Sequence, residues 1–262
     1  MSRIAKAFDH GKAFIAFLTC GDPDLETTER LIASLAEAGA DLIELGIPFS
    51  DPTAEGPVIQ EANLRALSGG ATTDKIFEMV RRVRKTVSLP LVFMTYGNVV
   101  FSYGTERFLR GAAQAGLDGL ILPDVPFEEK EEFCGACKAF GLDLISLIAP
   151  TSEERISEIA KEAQGFVYCV SSLGVTGIRS EITSDVDSMV RLVRAATDTP
   201  VAVGFGISLP EQAKKMAETA DGVIVGSAIV KLIGQYGRDA VQPVFEYVKA
   251  MNQAVKKAER DL

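Results

Sequence analysis

The stretch AGADLIEL, residues 38–45, returns in related form as AGLDGLIL at 115–122 and as TADGVIVG at 219–226. A weaker copy, FGLDLISL, occupies 140–147. Each copy follows a segment with helical periodicity and joins a small residue or glycine, an aspartate and a short apolar run. This order is typical of a helix that ends at a glycine cap, followed by a tight turn and a parallel strand buried on both faces. The repeat therefore predicts a chain of alternating helices and parallel strands.

Eight strands of this kind can be counted, and most of the intervals between them carry one amphipathic helix. They are predicted at 13–19, 41–46, 90–95, 119–124, 143–148, 166–170, 200–205 and 222–227. Eight βα units in about 250 residues predict an α/β fold, a single (β/α)8 TIM barrel that forms one catalytic domain over residues 1–262. An N-terminal helix near 2–8 and extra helices after strands two and eight are also expected. A doubly wound open sheet is the alternative, but the early glycine-rich turn of that fold is missing.

Composition excludes several classes of function. The net charge of −9 argues against a nucleic-acid partner, because phosphate backbones are bound by clustered lysine and arginine. The apolar runs have only strand length and the N-terminus lacks the core of a signal peptide, so we expect a cytoplasmic protein without a membrane span. The only histidine, His10, argues against a His-based metal site or a Ser-His-Asp triad. Cys134 and Cys137 form a lone CxxC inside a helical pattern, which we interpret as two ordinary helix thiols, and no metal is predicted.

Glu44 lies within the second predicted strand. Because side chains alternate along a strand, Leu42 and Glu44 share one face while Ile43 and Leu45 share the other. If the two large aliphatic residues pack outward against helices, Glu44 points into the barrel near the rim that carries the active sites of TIM barrels. Burial would raise the pKa of this carboxyl and suit it to general acid and base catalysis. The alternative is a structural glutamate that is satisfied by buried hydroxyls or amides.

The loop after this strand, IPFSDPTAEGP at 47–57, carries two further acids. Asp51 precedes a proline, where its side chain either caps a turn or serves the site. Glu55 precedes a glycine and either reaches over the mouth of the barrel or is a solvated loop acid. The three prolines of the loop stiffen its backbone.

The last three predicted strands end in the glycine-rich loops SSLGVTG, GFGIS and VGSAIV. These loops bring Gly177, Gly206 and Gly226 to one rim, and Ser227 is expected at the N-cap of a short helix. Glycines let the backbone approach a ligand, helix N-termini bind anions, and barrels commonly bind phosphate at the loops after strands seven and eight. A phosphorylated ligand is therefore predicted. No lysine stands at the rim end of a predicted strand to form a Schiff base, which leaves catalysis by carboxylates.

The run ELGIPFSDPTAEGPVIQEAN at 44–63, with FLTCGDP before it and LPDVP, SSLGVTG, GFGIS and VGSAIVK after it, closely resembles the α subunit of tryptophan synthase. The resemblance extends from about residue 12 to 235. It implies retro-aldol cleavage of indole-3-glycerol phosphate to indole and glyceraldehyde 3-phosphate. It also implies that this chain holds no cofactor and pairs with a β subunit that carries pyridoxal phosphate, in an α2β2 complex.

The resemblance assigns two catalytic residues. Glu44 corresponds to the inward glutamate that protonates the indole carbon bearing the side chain. Glu55 corresponds to a loop acid that stabilises positive charge at the indole nitrogen. The family usually has aspartate there, in ADGP, so AEGP is a departure, and we expect the loop to be drawn back to accommodate the longer side chain.

The resemblance also implies binding roles for three sets of residues. The substrate is expected to contact Phe17, Met94, Ile121, Tyr168 and Thr176. The phosphate is expected to contact Gly177, Phe205, Gly206, Gly226 and Ser227. The β subunit is expected to contact Pro48, Phe49, Asp51 and Asn98, with Pro48 and Phe49 exposed at the rim. Two other functions stay open: a phosphate-binding barrel isomerase, and a regulatory subunit that activates its partner.

Overall fold

The computed structural model of the chain describes residues 3–170, 185–204 and 206–258. Within these ranges nine parallel strands form one sheet, in the order β5-β4-β3-β2-β1-β9-β8-β7-β6. The strands are β1 Ala13–Thr19, β2 Leu42–Gly46, β3 Leu91–Met94, β4 Gly119–Ile121, β5 Asp143–Leu144, β6 Ser146–Ile148, β7 Val167–Val170, β8 Val201–Gly204 and β9 Gly222–Val225.

The two strands at the edges of this sheet, β5 and β6, are segments of one strand separated only by Ile145. The first segment pairs with β4 and the second pairs with β7. The chain at 143–148 therefore joins the two edges and closes the sheet into a nearly complete barrel. The predicted (β/α)8 barrel is confirmed, and its fifth strand is divided between the two neighbours that it serves.

Helices surround the barrel. Those in the described ranges are α1 Arg3–Lys6, α2 Leu25–Glu37, α3 Pro57–Ser68, α4 Thr73–Val83, α5 Gly97–Tyr103, α6 Thr105–Ala115, α7 Glu131–Ala139, α8 Glu153–Lys161, α9 Asp185–Ala196, α10 Pro210–Thr219, α11 Ser227–Tyr236 and α12 Val241–Lys256. The extra helices after the second and the last strand are confirmed as α3 and as α11 with α12. The N-terminal helix is present but shorter than expected, and α5 is a short helix that the sequence does not predict.

The repeated aspartate of the βα units has a clear structural task. In each of three copies its carboxylate accepts a hydrogen bond from a backbone N–H at the start of a neighbouring strand. The pairs are Asp41 with Phe14 at 2.7 Å, Asp118 with Leu91 at 2.9 Å, and Asp221 with Val201 at 3.0 Å. The glycine of the first two copies has a φ of 97°, a left-handed conformation that glycine adopts without strain. The repeat thus encodes the end of one helix and the anchoring of two adjacent strands.

Apolar side chains form two main layers. Ile43 and Leu45 belong to the large cluster between the strands and the helices. Leu42 belongs to a smaller cluster inside the barrel, together with Ile121 and Tyr168. The alternation predicted for β2 is therefore confirmed. No helix of the described residues is both long and apolar enough to span a membrane.

Candidate active site

Glu44 is fully buried in the interior of the barrel. Neither of its carboxylate oxygens has a hydrogen-bond partner among the described residues. Burial without a compensating partner disfavours the charged form and raises the pKa of Glu44 to about 8. The alternative of a structural glutamate bonded to buried hydroxyls or amides therefore has no support in the described part of the chain. The raised pKa favours the protonated form near neutral pH, and such a carboxyl can both give and recover a proton.

A small cavity of about 70 Å³ lies beside Glu44 at the carboxyl ends of the strands. It brings together eight of the residues predicted for the site. They are Phe17, Glu44, Glu55, Met94, Tyr168, Gly206, Gly226 and Ser227. Ile59, Ile207 and Ile224 complete the lining. Two carboxyl groups, two aromatic rings and a helix start therefore surround one small space.

Two glycines, Gly46 and Gly226, leave the space that the side chain of Phe17 occupies. A Cβ on Gly46 would lie 2.7 Å from Cζ of Phe17, and a Cβ on Gly226 would lie 3.3 Å from its Cβ. Gly204 does the same for Tyr168, since a Cβ there would lie 2.7 Å from the tyrosine oxygen. Distances under 3.0 Å are not found for real Cβ atoms, so Gly46 and Gly204 are required for the positions of these rings.

Glu55 is half-buried and held in place, so it is not a solvated loop acid. Its Oε2 accepts a hydrogen bond of 2.6 Å from the side-chain amide of Asn63 on α3. The hydroxyl of Tyr96, which follows β3, also donates to this carboxylate and accepts from the backbone N–H of Ala54 at 3.1 Å. Burial raises the pKa of Glu55, and the bonds from Asn63 and Tyr96 act in the opposite direction. The loop is thereby drawn against α3 and β3 and holds the longer acid.

The start of α11 faces the small cavity. The N-cap residue of this helix is Gly226 and the helix begins at Ser227, so the prediction of Ser227 as the N-cap is wrong by one residue. Gly206 has a φ of 74°, which favours glycine. Unpaired N–H groups and the positive end of the helix dipole make such a helix start suitable for an anion. Thr176, Gly177 and Phe205 lie outside the described residues.

A larger cavity of about 580 Å³ adjoins the small one and shares Glu55, Met94 and Tyr168 with it. It continues past the divided fifth strand to the side chains of Cys134 and Gln164. Cavities of this size hold ligands with the dimensions of a drug molecule. The small cavity is therefore continued by the larger one on the side of α7 and α8.

The four predicted rim residues and Ile121 differ from one another in their surroundings. Pro48 is buried, so the prediction that it is exposed at the rim is wrong, because the loop folds back onto the barrel. Phe49 is half-buried, with its ring centroid 5.2 Å from that of Tyr96. Asp51 and Asn98 are exposed, and Asp51 accepts a hydrogen bond from Ser50 at 2.5 Å. Ile121 packs in the inner cluster and is not among the residues that line the two cavities.

Five residues of the site are not found by reading the sequence: Ile59, Asn63, Tyr96, Ile207 and Ile224. Ile59 and Asn63 read as ordinary positions of an amphipathic helix, and Tyr96 reads as part of a strand end. These residues belong to the site because of the residues that pack against them in the folded chain, and local sequence patterns do not predict such long-range contacts. Cys134 and Cys137 are free and lie on α7, as interpreted. The described residues contain no group of three or more histidines, cysteines or acids that could hold a metal ion.

Comparison with known proteins gives a consistent result. A sequence profile described as "Tryptophan synthase alpha chain" matches residues 4–260. The tryptophan synthase alpha chain of Geobacter sulfurreducens is 50% identical over 262 residues, covering 97% of this chain and 99% of the relative. That of Lacticaseibacillus casei is 46% identical over 255 residues, covering 97% and 96%.

Solved structures agree with the sequence relatives. The tryptophan synthase of Mycobacterium tuberculosis superposes with a TM-score of 0.89 at 35% identity, covering 97% of this chain and 98% of that chain. Tryptophan synthase subunit alpha from Legionella pneumophila superposes with a TM-score of 0.88 at 39% identity, with the same coverage. This chain belongs to the tryptophan synthase alpha chain family.

Proposed function

We propose that this chain is the lyase subunit that cleaves indole-3-glycerol phosphate to indole and glyceraldehyde 3-phosphate. The observation that carries the proposal is the position of Glu44, a fully buried carboxyl inside the barrel that shares one small cavity with Glu55. Two carboxyl groups with different surroundings can take the two roles that the reaction needs. Membership of the family supports the same reaction.

Glu44 would act as both acid and base. In its protonated form it donates a proton to the indole ring carbon that bears the glyceryl side chain, which leaves positive charge on the ring. The carboxylate then takes the proton of the glyceryl hydroxyl as the carbon–carbon bond breaks. The electrons of that bond restore the aromatic ring, and Glu44 is protonated again. A carboxyl with a pKa of about 8 is suited to this exchange near neutral pH.

Glu55 would accept a hydrogen bond from the N–H group of the indole ring. A carboxylate at this point stabilises the positive charge that develops on the ring nitrogen after protonation, and a preorganised charge of this kind is a large term in catalysis. The bonds from Asn63 and Tyr96 favour the ionised form that this role needs. Glu55 and Glu44 line the same cavity, so one substrate ring can contact both.

The remaining lining residues would bind the two ends of the substrate. Phe17, Met94 and Tyr168 provide an apolar and aromatic wall for the indole ring, with Ile121 in the layer beneath. Gly206, Gly226 and Ser227 would bind the phosphate through backbone N–H groups at the start of α11. Contacts by Thr176, Gly177 and Phe205 stay predictions from the resemblance.

The partner belongs to the same proposal. The family implies a β subunit, and pyridoxal phosphate is bound by that subunit and not by the alpha chain. We propose an α2β2 complex whose interface includes the loop with Pro48, Phe49 and Asp51, and Asn98 at the start of α5. Because Pro48 is buried by its own chain, its part would be to shape the loop. A cytoplasmic location is part of the proposal and accords with four free cysteines.

An indole-release assay tests the function. Indole-3-glycerol phosphate is incubated with the full chain, first alone and then with the β subunit. The proposal expects indole in both cases, with faster release in the complex. An absence of indole in both cases would contradict lyase activity and would favour a regulatory subunit that binds the phosphate ligand.

A further inference from the structure

Asn63 is a polar side chain on the otherwise apolar buried face of α3. It is only 3% exposed. Its neighbours on the helix, Ile59 and Ala62, pack with Phe17 of β1 and Val230 of α11 in a small apolar cluster. The amide is therefore carried by a helix that is fixed against the top of the barrel. Burying an amide costs free energy unless the amide is hydrogen-bonded, so its hydrogen-bond partner indicates its role.

That partner is the carboxylate of Glu55. The bond from the Asn63 amide to Oε2 of Glu55 is 2.6 Å long, the short distance of a hydrogen bond to a charged acceptor. Gln60, one turn earlier on α3, donates to the backbone carbonyl of Glu55 at 2.7 Å. The hydroxyl of Tyr96 binds the same carboxylate and the N–H of Ala54. Backbone and carboxylate of Glu55 are thus held from two elements.

The position of Asn63 suits a glutamate. Glu55 has one methylene more than aspartate and one more rotatable bond. Without a hydrogen-bond partner, its carboxylate could therefore adopt more conformations than that of an aspartate. An amide donor selects the position within reach of its N–H group. A carboxylate has about four acceptor sites, so bonds from Asn63 and Tyr96 leave capacity for an indole N–H. An aspartate at position 63 would instead place a second negative charge beside Glu55.

We propose that Asn63 is a positioning residue of the lyase reaction, whose amide holds the carboxylate of Glu55 where the substrate nitrogen binds. The inference rests on the proposed function, because it assigns a role within that reaction. Asn63 acts through Glu55 and does not touch the substrate. By binding the ionised carboxylate it also favours the charged form of Glu55.

Other titratable groups near Glu55 belong to several elements. Those that line the two cavities with it are Glu44 of β2, Tyr168 of β7, Lys130 and Cys134 at α7, Arg155 of α8 and Glu162 after α8, and Tyr96 contacts it directly. Lys130 is paired with Glu162, and Arg155 with Glu128. A substitution at Asn63 leaves all of these groups in place, so a change in the acid side of the pH profile reports on Glu55.

The test measures indole release by the complex with the β subunit, for the unmodified chain and for Asn63→Ala. We expect kcat to fall about 10- to 100-fold, since a misplacement of about 1 Å has this effect, and KM to change less than about threefold. The acid limb of the pH profile should move to higher pH, because a bond to the ionised form is lost. Leu64→Ala, at an exposed neighbour on the same helix, is the matched control and should leave all three values unchanged.

A double substitution separates positioning from a structural role. In the Glu55→Gln background, Asn63→Ala should change kcat less than about twofold, because the carboxylate through which it acts is gone. An equal loss in both backgrounds, or an acid limb that does not move, would overturn the inference. If Asn63→Ala does not fold, Asn63→Asp keeps the shape and must move the acid limb to higher pH. Failure of the proposed function is a different result: the unmodified complex then releases no indole.

Discussion

Phe17 on β1 lies directly opposite Glu44 on β2 in the parallel register, and both side chains line the small cavity. An aromatic ring therefore lies at one side of the acid. This explains why burial is the cause of its raised pKa. In the proposed reaction the same ring would form a flat apolar wall for the substrate beside Glu44.

The stability of the chain should depend on pH through Glu44. Its pKa is about 8 in the native chain and about 4.5 in the unfolded chain, so the native state binds more protons between these values. Unfolding free energy should fall as the pH rises from 4.5 to 8, relative to that of Glu44→Gln, by on the order of 4 kcal/mol at most. Urea unfolding of both proteins at several pH values measures this difference. Glu61→Gln, at an exposed acid of α3, is the control. If the free energy of unfolding depends on pH in the same way for Glu44→Gln and for the unmodified chain, the raised pKa is refuted.

Shortening the loop acid should lower activity. Glu55→Asp retracts the carboxylate by one methylene from the amide of Asn63, so we expect kcat to fall about 10- to 100-fold. Steady-state indole release by the chain with its β subunit measures the effect. A large gain in rate would mean that the loop does not accommodate the glutamate.

A methyl group at position 46 should not fit beside the ring of Phe17. Gly46→Ala places a Cβ within 2.7 Å of the ring and forces it toward the cavity, at a cost of about 1–3 kcal/mol in stability and with a loss of indole release. Gly135→Ala on α7 is the matched control. A Cβ there has no neighbour within 4 Å, so it should stabilise by about 0.5–1 kcal/mol. Equal stability of the two variants, measured by urea unfolding, would contradict the described packing.

One cysteine should react with a thiol reagent in the native chain. Cys134 is half-buried and lines the larger cavity. Cys20, Cys137 and Cys169 are buried, and burial raises the pKa of the last two thiols to about 12. Intact mass after treatment with N-ethylmaleimide should show a single addition, which Cys134→Ser removes. Rapid labelling of Cys169 would show that the layer between the strands and the helices is more open than described.

The sequence predicts the barrel and the direction of Glu44 because both follow from local rules. Helix ends, turn residues and the alternation of side chains along a strand are set by residues a few positions apart. The same rules do not predict the break at Ile145, where one strand pairs first with β4 and then with β7. They also miss α5, which lies between two better-marked elements.

Side-chain surroundings that depend on long-range folding are not visible in the sequence. Pro48 looks exposed in a loop, yet it is buried because the loop returns to the barrel. Asn63 reads as a polar position of a helix, and its bond to Glu55 exists only because the loop and α3 fold together. The helix start at Gly226 differs from the prediction by one residue, which is the usual uncertainty of a helix boundary.

Removing the proton of Glu44 from the reaction tests the central claim most directly. Glu44→Gln keeps the shape of the side chain but removes the acid and base, and general acid–base catalysis contributes about 100- to 10,000-fold. Substrate binding is followed by calorimetry and indole release by assay, with Glu61→Gln as the control. The proposed mechanism predicts binding within about threefold of the unmodified chain and a loss of release of about 1,000-fold or more. Release at the unmodified rate would contradict it.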